Sequence, residues 1–370
     1  MSKHYILWGM PVSLYTGKVR AYLLGQNIAF EERLAGPDFV RRIVPDLGRW
    51  IIPVVETPDG QLLQDGAAII DHFEASGQGK ATPKTPMMRA VSALFELFGG
   101  EGLLRPAMHY RWGFDDQNLA FIRDEFTLPM QGVMPPDELE AMFLKNSGRM
   151  RQAGAMFGVS PETAPLIEQS YAEFLSLFSA HLANASYLLG DRPTRGDYGL
   201  IAPLHAHLGR DPAPTALMKA TAPKVFRWTE RMNRAAPGGG DGVFADDAVP
   251  ETLKLLMRYI AKDYLHELAA HVAFANNWLA ERPKLEAGTN GLDDPAQRGI
   301  GMATFAWRGT ELTTAVMPYR FWLLQKIHSE ADDAARALFD RVGLGALLDL
   351  RTTRPVERQG HLEVWGEITP

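Results

Sequence analysis

The chain contains no cysteine in its 370 residues. Disulfide crosslinks, cysteine-based zinc sites and a protein thiolate nucleophile are therefore excluded, and any sulfur chemistry must act on a ligand's sulfur. Long apolar runs are missing too. The stretch from Leu312 to Leu324 falls short of the ~18 residues of a membrane helix and carries Arg320, so no membrane partner is expected. There is no basic excess: a formal charge of −6 and a pI near 6.0 argue against nucleic acid as a partner. The opening Met-Ser-Lys-His-Tyr has no secretory signal pattern, which makes a cytoplasmic location the expectation. Neither a Gly-x-Ser-x-Gly elbow nor a zinc-protease motif occurs. The Gly238-Gly-Gly-Asp-Gly242 run has no Lys-Ser or Lys-Thr after it and reads as a flexible loop, not a phosphate cradle. His205 and His207 stand two apart on an expected helix and face different ways, so they cannot share a metal, and no metal is expected.

What is present suits an enzyme-sized protein. With 46% hydrophobic and 22% charged residues, the chain can bury two sizeable cores, and its length suggests two or three domains. The most informative stretch runs from Ile52 to Ile69. Pro53 opens what otherwise reads as a strand, where proline needs a special reason. A cis peptide supplies one, because it turns the backbone of Ile52 outward, free to pair with an extended peptide-like ligand. Strands over 54–57 and 61–64 follow, joined at Pro58-Asp59-Gly60. Asp65 then makes a good helix N-cap, and Gly66, Ala67 and Ala68 leave the first turn's N–H groups open to an anion. Upstream, Tyr5 to Trp8 reads as a buried strand, with Tyr5 in the core. Ser13 to Gly25 reads as a helix with Lys18 and Arg20 on a basic face, and Ile28 to Arg33 as a second strand. The order is β-α-β-α-β-β-α.

That order, the proline and the small-residue helix start resemble the thioredoxin-like N-terminal domain of the cytosolic glutathione S-transferase superfamily. Ser13-Leu-Tyr-Thr-Gly-Lys-Val-Arg20 is similar to the family's Ser-Pro-x-x-x-(Arg/Lys)-Val-Arg segment, and Asp65-Gly-Ala-Ala-Ile69 to its (Glu/Gln)-Ser-x-Ala-Ile segment. Further on, Thr194 and Asp197 form a Thr-x-x-Asp capping box that resembles the one in the family's helical domain, where its role is folding. Ala222 to Met232 resembles the helix that commonly follows. The resemblance spans about residues 3–235. It implies a thioredoxin-like glutathione-binding domain over 1–78 and an all-helical substrate domain over 85–247. Residues 248–370 are left as an α+β extension.

The resemblance also implies glutathione as co-substrate, a small hydrophobic electrophile as second partner, and a homodimer. Family members with cysteine at the position of Ser13 work through mixed disulfides, which this chain cannot form. Activating a bound thiol of pKa about 8.5 by about two units takes roughly 2.7 kcal/mol, within reach of one hydroxyl donor at about 1.5 to 3 kcal/mol plus a helix N-terminus at about 0.3 to 1 kcal/mol. Ser13 is the implied donor, with Tyr15 and Thr16 as alternates on the same turn; the plain alternative is an ordinary N-cap. Ile52 and Pro53 would hold the cysteinyl portion and Asp65 the γ-glutamyl amino group. Gly66 replaces the family's serine and lacks its hydroxyl for the γ-glutamyl carboxylate. Arg49 either meets the glycyl carboxylate or is a solvated surface residue.

Pro86 to Gly113 reads as a long helix interrupted at Gly99-Gly100. Its end, with Met108, His109, Tyr110 and Trp112, either lines the electrophile pocket or is core. In the extension, apolar intervals predict one long helix over Glu251 to Arg282. A hairpin about Arg308-Gly309-Thr310, a helical segment from Ser329 to Val342 and a strand over His361 to Trp365 follow. The extension covers the active-site mouth, extends a dimer interface or binds a partner. The function this implies is a glutathione-dependent transferase or lyase. The alternatives are a non-catalytic relative that only binds or regulates, and a glutathione-dependent isomerase or ether-cleaving enzyme.

Overall fold

The structure, a computed structural model, describes residues 4–235, 242–294 and 296–368, so most of the Gly238–Gly242 run lies outside the described residues. The chain starts β1 (Tyr5–Gly9), α1 (Leu14–Gly25), β2 (Phe30–Leu34), α2 (Pro37–Arg42), α3 (Val44–Leu47), β3 (Val54–Glu56), β4 (Leu62–Gln64) and α4 (Gly66–Ala75). The sheet order is β2-β1-β3-β4, with β1 parallel to β2 and the other pairs antiparallel. Side chains alternate across a strand, so β1 serves two cores. Leu7, with Val55, packs on Val19 and Tyr22 of α1 and Ile69, Ile70 and Phe73 of α4. Ile6, Trp8 and Val54 pack on Phe39 of α2 and on Ile43. The result is the thioredoxin-like α/β layer that the resemblance implies.

The helical part comprises α5 (Pro86–Leu97), a π-helical turn (Phe98–Gly102), α6 (Leu104–Trp112), α7 (Asp115–Thr127), α8 (Pro136–Met156), α9 (Ala164–His181), α10 (Arg195–Ala206), α11 (Pro212–Thr221) and α12 (Pro223–Met232). The interruption expected at Gly99-Gly100 is this π turn. Its cause is close packing: a Cβ on Gly99 would lie 2.4 Å from the carbonyl carbon of Gly199 on α10, and one on Gly199 would lie 2.4 Å from Glu96 Cα. The Thr194–Asp197 capping box is formed, and Asp197 also accepts from Leu188 N–H at 2.8 Å and Trp228 Nε1 at 3.3 Å. Burial nevertheless pushes the Asp197 carboxyl up to about 6.

Beyond these lie α13 (Glu251–Asp263), α14 (Leu265–Ala280), the hairpin β5 (Gly301–Trp307) and β6 (Thr310–Val316), α15 (Pro318–Glu330), α16 (Asp333–Arg341) and a second hairpin, β7 (Val356–Gln359) and β8 (Leu362–Trp365). The single helix expected over 251–282 is two. The chain turns at Tyr264, whose ring sits edge-on to Phe98 at 5.9 Å, so α13 packs on α9 while α14 swings onto β5. Helix α15 was not foreseen, because it is buried on nearly all sides and shows no amphipathic face. It lies along α5, where the fully buried Arg320 joins Glu101 of the π turn (3.0 Å) to Glu267 of α14 (2.7 Å). Lys326 pairs with Asp71 of α4, and Arg89 of α5 with Glu330. The C-terminal segment is thus docked against both earlier parts of the chain.

Candidate functional site

The site forms where three chain segments meet: the start of α1, the start of α4, and the C-terminal segment that lies over them. Arg111 of α6 anchors the approach to α1 from below. Buried against Asp211 (2.7 Å), its guanidinium donates to the carbonyls of Val12 (3.0 Å) and Ala206 (2.8 Å). Sequence reasoning picked its neighbours for their aromatic character and passed over this arginine, which fixes the loop.

Ser13 is the N-cap of α1: its Oγ accepts from Thr16 N–H at 3.3 Å, and among the described residues the hydroxyl hydrogen is left uncommitted. Thr16 points inward, fully buried, with its Oγ1 accepting from Met10 N–H at 3.4 Å and its methyl filling the space beside Gly9. It therefore does not share a surface with Ser13. Tyr15 is half-buried, and its hydroxyl has no hydrogen-bond partner among the described residues. Burial, reinforced by Glu101 and Asp65 and opposed by Arg298 and Arg320, pushes its phenol well up, so it is a proton-bearing donor at neutral pH.

The Ile52–Pro53 bond is cis. Neither backbone group of Ile52 is paired among the described residues. Asp65 has a left-handed backbone (φ 82) and caps α4, its Oδ1 accepting from Ala67 N–H (2.9 Å) and Ala68 N–H (3.1 Å). This corrects the expectation of an open first turn: two of its N–H groups are taken by the cap, and that of Gly66 stays free among the described residues. Burial alone would raise the Asp65 carboxyl, but Arg358, Lys18 and the Ala68 N–H outweigh it and hold it below the usual range. Lys18 is not on an exposed basic face. It is buried and pairs with Glu96 at 2.6 Å, and together with Arg195 it holds that carboxyl at about 2 against the opposing effect of burial.

The C-terminal segment closes over this ground. The Tyr319 hydroxyl donates to Asp65 Oδ1 at 3.3 Å. Arg358 of β7 donates to Gln64 at 2.8 Å, and Arg298 lies near Tyr15. Both arginines share the carboxylate of Glu363, and both sit over the Tyr319 ring. Arg49 donates to the Ala296 carbonyl at 3.1 Å, tying the loop before Pro53 to the same segment. Residues 248–370 thus bring Tyr319 and Arg358 against the start of α4 and the Ala296 carbonyl against Arg49. Nothing in the sequence of 298, 319 or 358 marked them, because their relevance arises from a contact across more than half the chain.

Of the residues expected to line an electrophile pocket, His109 and Tyr110 meet ring edge to face at 5.1 Å, and each of the four also makes packing contacts of its own. His109 turns its Nε2 to Glu168 (2.9 Å), Tyr110 stacks on Phe114 (5.3 Å) and touches Tyr171, Trp112 packs on Phe126 beneath Arg151, and Met108 is buried. They are largely packing residues of α6. Among the described residues no group of His, Asp and Glu could hold a metal ion, and no helix is long and apolar enough to cross a membrane.

Residues 7–81 match the family description "Glutathione S-transferase, N-terminal domain", and residues 162–236 match "Glutathione S-transferase, C-terminal domain". No curated protein matches the sequence. Similar solved structures include a glutathione S-transferase from Pseudomonas fluorescens, 19% identical, with 61% of this chain and 93% of that chain covered and a TM-score of 0.33. The β-etherase LigF from Sphingobium is 16% identical, with 62% and 94% covered and a TM-score of 0.43. A glutathione S-transferase from Xanthobacter autotrophicus is 21% identical, with 65% and 96% covered and a TM-score of 0.33. Two family domains in their usual order, on a thioredoxin-like sheet followed by helices, make this chain a member of the glutathione S-transferase superfamily.

Proposed function

We propose that the protein is a glutathione-dependent transferase or lyase that ionises the thiol of bound glutathione for attack on a small hydrophobic electrophile. The observation that carries this reading is that the positions named by the resemblance keep polar groups available among the described residues: the Ser13 hydroxyl hydrogen, the backbone of Ile52 before the cis proline, and the Asp65 carboxylate at the start of α4. Ser13 donates to the sulfur, the N-terminus of α1 favours its negative charge, and Tyr15 adds a second hydroxyl on the same turn. Ile52 pairs with the cysteinyl backbone, and Asp65 takes the γ-glutamyl ammonium. Arg298, whose positive charge opposes the upward push on the Tyr15 phenol, adds positive potential that favours a thiolate.

The decisive experiment pairs calorimetry of reduced glutathione with turnover of a generic aryl halide. Ser13→Ala should keep glutathione affinity and lose about ten- to hundred-fold in kcat/KM, the equivalent of one charge-assisted hydrogen bond. An unchanged rate in Ser13→Ala, with Tyr15→Phe unchanged as well, removes the proposed mechanism.

A second reading, a non-catalytic glutathione-transferase-like protein that binds or regulates, is favoured by one observation. The Asp65 Oδ1 atom is already filled by two backbone donors and by Tyr319, and the C-terminal segment is packed over it. Absence of turnover in well-folded wild-type protein selects that reading.

A further inference from the structure

Three polar atoms at the N-terminus of α4 are left open, and together they describe a ligand. The Gly66 N–H has no acceptor among the described residues. Among the described residues Asp65 Oδ2 accepts no hydrogen bond, and the nearest cation is Arg358 Nη1, 4.0 Å away. Among the described residues Arg358 Nε is buried without a partner, while the side chain is 8% exposed and its other nitrogens engage Glu363, Gln64 and the Gly360 carbonyl. The guanidinium is held in place without any ligand, resting over the rings of Tyr319 (5.7 Å) and Trp322 (5.3 Å). Arg192, Arg231 and Arg308 also carry an unfilled buried donor, but that of Arg358 belongs to a guanidinium that reaches Gln64 and Asp65 at the start of α4, where the Gly66 N–H is open among the described residues.

Gly66 cannot itself supply a hydroxyl donor at this point. A Cβ there would lie 3.2 Å from Lys18 Cδ, on the stem that carries the Lys18–Glu96 ion pair. A second donor has to come from elsewhere in the fold, and the β7–β8 hairpin brings one. We propose that Arg358 is a ligand-binding residue. Its Nε, with the Gly66 N–H, takes the carboxylate of an α-amino-acid headgroup whose ammonium is taken by Asp65 Oδ2. Carboxylate and guanidinium side by side complement such a zwitterion, which a simple anion or a simple amine would only half satisfy. The inference rests on the glutathione reading and deepens it, because the γ-glutamyl end of that tripeptide carries this headgroup.

The test uses thiol-free probes, so that its outcome is independent of thiol activation. γ-Glutamyl-alanyl-glycine and 4-aminobutyryl-alanyl-glycine, which differ by the α-carboxylate alone, are titrated calorimetrically into wild type, Arg358→Met and Arg358→Lys. Arg358→Lys keeps a cation for Glu363 while removing Nε, and it serves if the methionine variant does not fold. The γ-glutamyl peptide should bind wild type about ten- to hundred-fold more tightly than its decarboxylated analogue, and either variant should abolish that difference without weakening the analogue. The inference is overturned if wild type binds neither peptide, if the variants keep the difference, or if they weaken both peptides equally. Glutathione turnover measured on the same samples shows separately whether the catalytic reading stands.

Discussion

Arg320 offers the sharpest test of how the C-terminal segment is held. Its side chain is 1% exposed, and it is hydrogen-bonded to Glu101, Glu267 and the Nδ1 of His271. Arg320→Met keeps most of the volume and removes the charge. Glu267 keeps Arg105 at 2.6 Å, but Glu101 loses the cation that offsets its burial, and burial already pushes that carboxyl up. An uncompensated buried charge costs about 3 to 5 kcal/mol. The chain can escape by protonating Glu101, which at pH 7 costs about 3.4 kcal/mol from an ordinary pKa near 4.5.

The two routes give the same expectation near neutrality, a loss of about 3 to 4 kcal/mol. They also fix the sign of its pH dependence. In the variant the folded pKa of Glu101 lies above its unfolded value, so folded protein holds a proton that unfolded protein releases, and the penalty shrinks as pH falls. The difference between wild type and variant should narrow by about 2.7 kcal/mol from pH 7 to pH 5. Urea unfolding followed by tryptophan fluorescence at pH 7, 6 and 5 reads this directly, and Glu101→Gln combined with Arg320→Met should recover most of the loss. A deficit below about 1 kcal/mol at pH 7, or one independent of pH, would refute the reasoning.

Two further predictions concern stability. Burial depresses His205 and His271 to about 3 and His328 to about 4, so unfolded protein takes up protons below pH 6.5 that the folded form refuses. Between pH 6.5 and 5.5 stability should fall by about 1 kcal/mol per histidine, about 3 kcal/mol for the three, partly offset by Asp197; a flat urea midpoint over that range would contradict the burial. Gly99→Ala should cost more than about 2 kcal/mol because its Cβ meets the α10 backbone, whereas Gly100→Ala, with nothing within 4 Å of its Cβ, should be neutral or stabilising. Equal thermal unfolding of the two variants would mean that α5 and α10 do not approach so closely.

The sequence by itself determined what depends on near neighbours along the chain. The strand–helix order, the turn at Pro58-Asp59-Gly60, the Asp65 and Ser13 caps and the Thr194–Asp197 box each arise from residues within a few positions of one another, so their chemistry is readable without a fold. Only the tertiary structure decided that Tyr264 breaks the long helix, that α15 is a buried helix with Arg320 at its heart, and that Thr16 turns inward while Tyr15 stays half-buried. It also decided that Asp65 meets Tyr319 and Arg358 across more than 250 residues of chain. A buried arginine or a ring over a guanidinium leaves no periodic trace, because its partners lie on other elements. The groove's caps were therefore legible in the sequence and its cover was not.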